Sequence, residues 1–95
     1  MKKLTIKFWA IEDRPREKLI QKGKSVLTDA ELIAILIGSG SKDESAVELS
    51  KRILSSVSNN INQLAALSLE QLKEFKGIGE ARAISIITAL ELGRR

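Results

Sequence analysis

The segment Lys-Gly-Ile-Gly-Glu-Ala-Arg-Ala, residues 76–83, constrains the fold of this chain more than any other stretch. Two glycines flank the single aliphatic residue Ile78, so the backbone can turn sharply there and leave amide N–H groups uncovered. An amphipathic pattern over residues 69–75 predicts a short helix before the turn, and the alanine-rich stretch from Glu80 to about Leu92 predicts a longer helix after it. The sequence therefore predicts two helices joined by a tight turn with free amides.

Free amides at the N-terminus of a helix suit an anion, above all a backbone phosphate of a nucleic acid. Contacts with phosphates carry no base information, so the pattern indicates sequence-independent nucleic-acid binding. The alternative is that Gly77 and Gly79 make a compact turn between two helices without any ligand. Glu74 and Glu80 favour this alternative, because both lie close to where a phosphate would sit.

The composition favours one small, non-enzymatic domain. Ninety-five residues, 43% of them hydrophobic, can bury a modest core. The chain contains neither cysteine nor histidine. These absences exclude disulfides and thiolate metal sites, and they remove most zinc sites and the commonest general base. No catalytic set of carboxylates or lysines stands out, so we expect no enzyme, no cofactor and no metal bound by side chains.

The net charge of +4 is unevenly distributed. Residues 1–24 contain eight basic and three acidic residues, a net charge of +5, whereas residues 25–95 contain eight and nine, a net charge of −1. Any attraction of the glycine turn for nucleic acid must therefore be local. The N-terminus does not read as a signal peptide, and no apolar stretch approaches the roughly 20 residues of a membrane span, so we expect a soluble, cytoplasmic protein.

Within residues 1–12, polar and apolar side chains alternate over residues 3–9. Leu4, Ile6 and Phe8 share one side, which is typical of an edge strand or an extended arm. No second strand-like run exists to pair with it. We therefore predict an extended arm that lies across the helices or pairs with another copy, with Phe8 and Trp9 as its anchor.

From residue 13 onward every local signal is helical, and about six short helices are predicted. Asp13-Arg14-Pro15 begins the first helix, and Gly23 ends it. Capping boxes are predicted to open three later helices, at Thr28–Glu31, Ser41–Glu44 and Ser68–Gln71. The other predicted boundaries are a stop at Gly38, a break at Asn59-Asn60 before a short helix over 61–66, and a stop at Gly93. Lys51 and Arg52 are expected to pair with Glu48 as surface charges.

The glycine turn has a counterpart in the first half of the chain, Gly-Ser-Gly at 38–40. We therefore predict an all-α domain over residues 13–95, built from two hairpins that share one core. The first hairpin spans about residues 28–57 and the second about residues 68–93. The first is degenerate, because serine replaces the aliphatic residue of its turn and several polar residues follow.

Residues 68–93 resemble the helix-hairpin-helix family, which is common in DNA repair and recombination proteins. Glycine, a hydrophobic residue and glycine are followed at the family's spacing by a basic residue and an alanine. The resemblance implies DNA-phosphate contacts by Gly77, Gly79, Arg82, Lys76 and Lys73, and anchoring of the hairpin by Ile78 and Ala83. It also implies that the turn carbonyls can hold a monovalent cation.

The chain as a whole resembles the N-terminal domain of the bacterial RadC family. The matching segments are RPREKL at 14–19, LTDAELIAIL at 27–36, KGIG at 76–79 and ALELGRR at 89–95. The resemblance implies a duplicated helix-hairpin-helix fold, similar to the second domain of RuvA, and a link to DNA repair. In that family an MPN/JAB-type domain with a His-x-His metal motif follows, and this sequence contains no histidine.

The sequence is compatible with two functions. The first is a module that contacts backbone phosphates of double-stranded or branched DNA without reading its bases. The second is a protein–protein interaction or dimerisation domain, in which the hairpin fold is a scaffold. In that case the arm would dock onto another copy or onto an MPN/JAB-type domain through Leu4, Ile6, Phe8 and Trp9.

Overall fold

The computed structural model of the protein describes residues 14–40 and 43–95. Within these ranges the protein is all-α, with six α-helices and no strand. The helices are α1 (Pro15–Lys22), α2 (Asp29–Ile37), α3 (Ala46–Ser56), α4 (Ile61–Ala65), α5 (Leu69–Lys73) and α6 (Glu80–Arg94), with one turn of 3-10 helix at Lys24–Val26. The predicted fold class and helix number are confirmed. The predicted arm, with Leu4, Ile6, Phe8 and Trp9, lies outside the described residues.

Two helix pairs form the body of the domain. α2 packs against α3, α5 packs against α6, and α2 also packs against α6, so the two pairs share one core. The α4 helix connects the pairs and contributes Leu64, which is fully buried. The other large core side chains come from both pairs: Ile33, Leu49, Ile53, Leu72, Ile78 and Ile86. Each turn between paired helices therefore sits over a core built by both halves.

Polar side chains define where the helices begin. Thr28 and Glu31 form a reciprocal capping box at α2, with N···O distances of 3.1 Å and 2.9 Å. Ser68 and Gln71 form the equivalent box at α5. The side chain of Asn60 accepts a hydrogen bond at the start of α4. Each of these caps satisfies amides that the first turn of a helix leaves without partners.

The start of α3 differs from the prediction. Ser45 caps this helix, because its Oγ accepts from the Glu48 amide at 3.1 Å and the Glu48 carboxylate accepts from the Ser45 amide at 2.8 Å. The prediction that Ser41 and Glu44 open the helix is wrong. Both serines precede a glutamate by three residues, so the sequence offers two equivalent boxes. The second one is used because it places Ala46 in the buried core at the start of the helix.

The end of α6 also differs from the prediction. The helix continues through Gly93 to Arg94, so the prediction that Gly93 ends it is wrong. The Glu91 carboxylate accepts hydrogen bonds from Arg94 at 2.6 Å and from Arg95 at 3.0 Å. Such pairs at helical spacing support the last turn and offset the modest cost of an interior glycine.

An ion pair fixes α1 against the start of α2. Lys18 Nζ lies 3.0 Å from Glu31 Oε2, and the two side chains are 24% and 12% exposed. Burial alone would raise the pKa of Glu31, but hydrogen bonds from the Thr28 amide and the Lys18 ammonium outweigh it, so the pKa lies below its usual value. Glu31 therefore serves both the cap and the α1–α2 contact.

We expect the Ser45→Ala variant to lose about 1 kcal/mol of unfolding free energy, because an N-cap hydroxyl is removed. The matched control is Ser41→Ala, which removes the same hydroxyl from the alternative box. Urea unfolding followed by circular dichroism measures both. An equal loss in the two variants would contradict the assignment of the cap to Ser45.

The folded-state pKa of Glu31 lies below its unfolded value of about 4.5. The resulting stabilisation is present above that pH and is lost as the pH falls through the folded pKa. Between about pH 6 and about pH 3, the unfolding free energy should therefore fall more steeply in the wild type than in Glu31→Gln. The glutamine keeps the capping geometry but cannot carry the charge. If the unfolding free energies of the wild type and of Glu31→Gln depended on pH in the same way, the charge of Glu31 would not contribute to stability.

Candidate nucleic-acid interface

The turn between α5 and α6 has a backbone that only glycine adopts readily. Gly77 has a φ of 94°, in the left-handed region. Added there, a Cβ would lie 3.4 Å from the Leu49 side chain, so the backbone also packs closely on α3. Gly77 and Gly79 are exposed, whereas Ile78 between them is buried in the core. Ala83, one turn into α6, is also fully buried. The turn thus rests on buried side chains and presents its glycines to solvent.

The amides at this turn lie at a helix N-terminus without a capping side chain. Gly79 is the N-cap residue of α6, and no side chain accepts a hydrogen bond there. The Ile78 amide donates to the Phe75 carbonyl at 3.0 Å, and the Ala83 amide donates to the Gly79 carbonyl at 3.0 Å. Within residues 14–40 and 43–95, no hydrogen bond uses the amide of Gly77 or Gly79 as its donor. These amides are therefore open to an external acceptor, at the positive end of the α6 dipole.

Arg82 joins the turns of the two hairpins. Its Nη1 donates to the Gly77 carbonyl at 2.7 Å, and its Nη2 donates to the Ser39 carbonyl at 2.7 Å. Ser39 lies in the turn after α2 and is 43 positions away in the sequence. One guanidinium group thus holds the first turn beside the second. The sequence predicts Arg82 as a phosphate ligand, and it contains no local signal for this bridge.

Arg52 reaches the same turn from α3. Its Nη2 donates to the Lys76 carbonyl at 2.5 Å, while Nε and Nη2 donate to the Glu44 carboxylate at 3.0 Å each. The hydrogen bonds with Glu44 raise the pKa of Arg52. The ion pair of Arg52 is with Glu44 and not with Glu48, as helical spacing predicted, and the Glu48 carboxylate accepts from the Ser45 amide. Sequence reasoning missed Arg52 as a site residue, since its contact with the turn spans 24 positions.

The predicted phosphate-binding lysines lie before the turn. Lys76 immediately precedes the turn glycine and is exposed. The ammonium of Lys73 lies 3.8 Å from the Glu80 carboxylate, in an exposed pair that contributes about 1 kcal/mol or less. Glu80 is the first residue of α6, where a carboxylate interacts favourably with the helix dipole and would repel a phosphate. Glu74, the C-cap residue of α5, is also exposed, so this surface combines exposed cations with opposing carboxylates.

The turn carbonyls are the groups to which the helix-hairpin-helix resemblance assigns a monovalent cation. Two of them, at Lys76 and Gly77, already accept hydrogen bonds from Arg52 and Arg82. Among the described residues, no cluster of histidine, cysteine, aspartate and glutamate could hold a metal ion. No helix in the same ranges is long and apolar enough to cross a membrane.

Comparison with known proteins identifies the family of this chain. Residues 6–84 match the family model described as UPF0758 N-terminal, so the chain belongs to the UPF0758 family. UPF0758 is the RadC-like family, and the resemblance to the N-terminal domain of RadC proteins is therefore confirmed. No solved structure matches the chain.

Curated relatives are considerably longer than this chain. It is 64% identical over 90 residues to a UPF0758 protein of Flavobacterium johnsoniae, an alignment that covers 95% of this chain and 39% of the relative. A UPF0758 protein of Porphyromonas gingivalis is 45% identical over 93 residues, which cover 97% of this chain and 41% of the relative. The chain thus spans about two fifths of the length of these relatives.

We expect the Arg82→Ala variant to lose about 1–2 kcal/mol of unfolding free energy, because two carbonyls lose a charged donor at a partly exposed site. The control is Arg95→Ala, which removes a guanidinium from an exposed pair with Glu91 and should change stability by less than about 0.5 kcal/mol. Chemical denaturation of both variants measures the difference. Equal effects would show that the bridge between the turns contributes little stability.

Proposed function

We propose that this UPF0758 N-terminal domain binds the phosphate backbone of double-stranded or branched DNA without sequence preference. The observation that carries the proposal is the exposed turn at Gly77 and Gly79, whose amides have no acceptor within the described part of the chain. This turn opens α6, a 15-residue helix without a capping side chain. Backbone amides and a helix dipole directed at one point suit a phosphate group. The link to DNA repair, which the RadC resemblance implies, belongs to the proposal as its biological setting.

The basic side chains divide into two groups in this proposal. Lys76 and Lys73 are exposed cations that pair with phosphates as the DNA approaches. Arg82 adds positive charge beside the turn, while its guanidinium group continues to donate to the carbonyls of Gly77 and Ser39. Two or three phosphate contacts would give binding in the range of about 10⁻⁴ to 10⁻⁶ M at physiological salt, as is typical of non-specific binding.

The salt dependence of DNA binding tests the proposal. Each phosphate contact contributes about 0.9 to the slope of log affinity against log salt, so the wild type should show a slope of about −2 to −3. In Lys76→Gln the slope should become less negative by about 0.9. Fluorescence anisotropy with a labelled duplex and a labelled four-way junction, at several salt concentrations, measures these slopes.

The matched control is Lys22→Gln, which removes the same charge at the end of α1 and should leave the slope unchanged. No binding by the wild type at low salt would overturn the proposal. An equal change in both lysine variants would mean that net charge, and not the turn, attracts the DNA. If the fold is instead a scaffold for protein contacts, DNA binding is absent, and light scattering detects a self-association that is lost when residues 1–10 are removed.

A second prediction concerns the acidic residue of the site. We expect Glu80→Gln to strengthen DNA binding by roughly two- to fivefold, because a carboxylate near the phosphate is removed and Lys73 is released. The same change should cost about 0.3–1 kcal/mol of stability through the lost helix-dipole interaction. Glu70→Gln makes the matched change in the first turn of α5 and should leave affinity unchanged. Anisotropy titrations compare the two variants, and an unchanged affinity in Glu80→Gln would place the phosphate elsewhere.

A further inference from the structure

Two arginines from different helices donate to consecutive carbonyls of the turn. Arg52 binds the Lys76 carbonyl and Arg82 binds the Gly77 carbonyl. The Lys76 carbonyl belongs to the same peptide group as the Gly77 amide, and the Gly77 carbonyl belongs to that of the Ile78 amide. The Ile78 amide is already used inside the protein. Of these two peptide groups, only the one held by Arg52 carries an amide that is open to an external acceptor.

We propose that Arg52 is a positioning residue of the phosphate site, which orients and polarises the peptide group between Lys76 and Gly77. The inference rests on the proposed function. A cation that donates to a carbonyl oxygen draws electron density through the peptide group and makes its N–H a stronger donor. A glycine in the left-handed region has more backbone freedom than other residues, so a fixed carbonyl also holds the amide in one direction.

Contacts with neighbouring residues hold the side chain of Arg52 in place. The Glu44 carboxylate binds two of its guanidinium nitrogens, in a paired geometry that adds directional specificity. Leu49 lies three residues earlier on α3 and is 1% exposed. A Cβ at Gly77 would lie 3.4 Å from Leu49 and 4.0 Å from Arg52 Nη2, so both side chains contact the turn from the α3 side. Through these contacts, a helix of the first hairpin supports the turn of the second.

The contacts of Arg52 distinguish it from a phosphate ligand. Its Nη2 and Nε atoms are engaged by the Lys76 carbonyl and the Glu44 carboxylate, which also neutralises its charge. Loss of Arg52 should therefore weaken each amide–phosphate contact without removing an ionic one. The number of counterions released on binding, and hence the salt slope, should stay the same.

The first experiment compares Arg52→Gln with Lys76→Gln in DNA titrations across a range of salt concentrations. Arg52→Gln should reduce affinity by roughly three- to tenfold with an unchanged slope. Lys76→Gln should make the slope less negative by about 0.9. The control is Lys51→Gln, which removes a charge from the neighbouring exposed position and should change affinity by less than about twofold. A slope reduced in Arg52→Gln would make it a direct ligand, and an unchanged affinity would remove its positioning role.

The second experiment observes the Gly77 amide by NMR in the protein without DNA. Loss of the hydrogen bond to the Lys76 carbonyl in Arg52→Gln should move the Gly77 amide proton upfield, while Lys51→Gln should leave it in place. If Gly77 does not respond although the wild type binds DNA, the positioning role fails and the proposed function stands. If Gly77 responds but the wild type binds no DNA, the proposed function fails and Arg52 is a structural contact only.

A third variant covers the case in which Arg52→Gln does not fold. Arg52→Lys keeps the positive charge at this position but replaces the guanidinium group, which binds Glu44 through two nitrogens, by a single ammonium. It should weaken DNA binding in the same direction, by roughly two- to threefold, again without a change in slope. Affinity equal to that of the wild type, in a folded Arg52→Lys protein, would contradict the inference.

Discussion

The guanidinium group of Arg82 lies between the turns of the two hairpins and donates to a carbonyl of each. Ser39, in the first turn, lies 43 positions before Arg82 in the sequence, so this contact joins parts of the chain that are distant in sequence. A planar group with several fixed donors suits this role, because it can bind two carbonyls at once without moving. The alignment of the two turns, and the local concentration of charge beside them, depends on this bridge.

The two hairpins have different roles in the domain. The second presents exposed glycine amides at the start of α6, and the first contributes Ser39, Leu49 and Arg52, which contact the second turn or the arginine that binds it. The serine in place of an aliphatic residue in the first turn is consistent with this division, since a supporting turn need not insert an anchor of its own. Degeneracy of the first repeat therefore accompanies a structural role.

Local signals predicted most of the fold. The boxes at Thr28 and Ser68, the cap at Asn60 and the stop at Gly38 all act over three or four residues, so the sequence contains both partners of each interaction. The start of α3 was not predictable in this way, because Ser41 and Ser45 are equally good local caps. Burial of the first turn of α3 decides between them, and burial depends on the other helices.

The sequence by itself determined the helices, the tight turn, and the glycine that allows the chain to turn because it adopts a positive φ. These features follow from backbone sterics and from hydrogen bonds between residues within one helical turn of each other. Only the tertiary structure decided what surrounds the turn: Arg82 bridging to Ser39, and Arg52 held between Glu44 and the Lys76 carbonyl. The physical reason is the length of the arginine side chain, which can pair with any acceptor within a few ångströms of its guanidinium group. Only the packing of the helices determines which acceptors lie there.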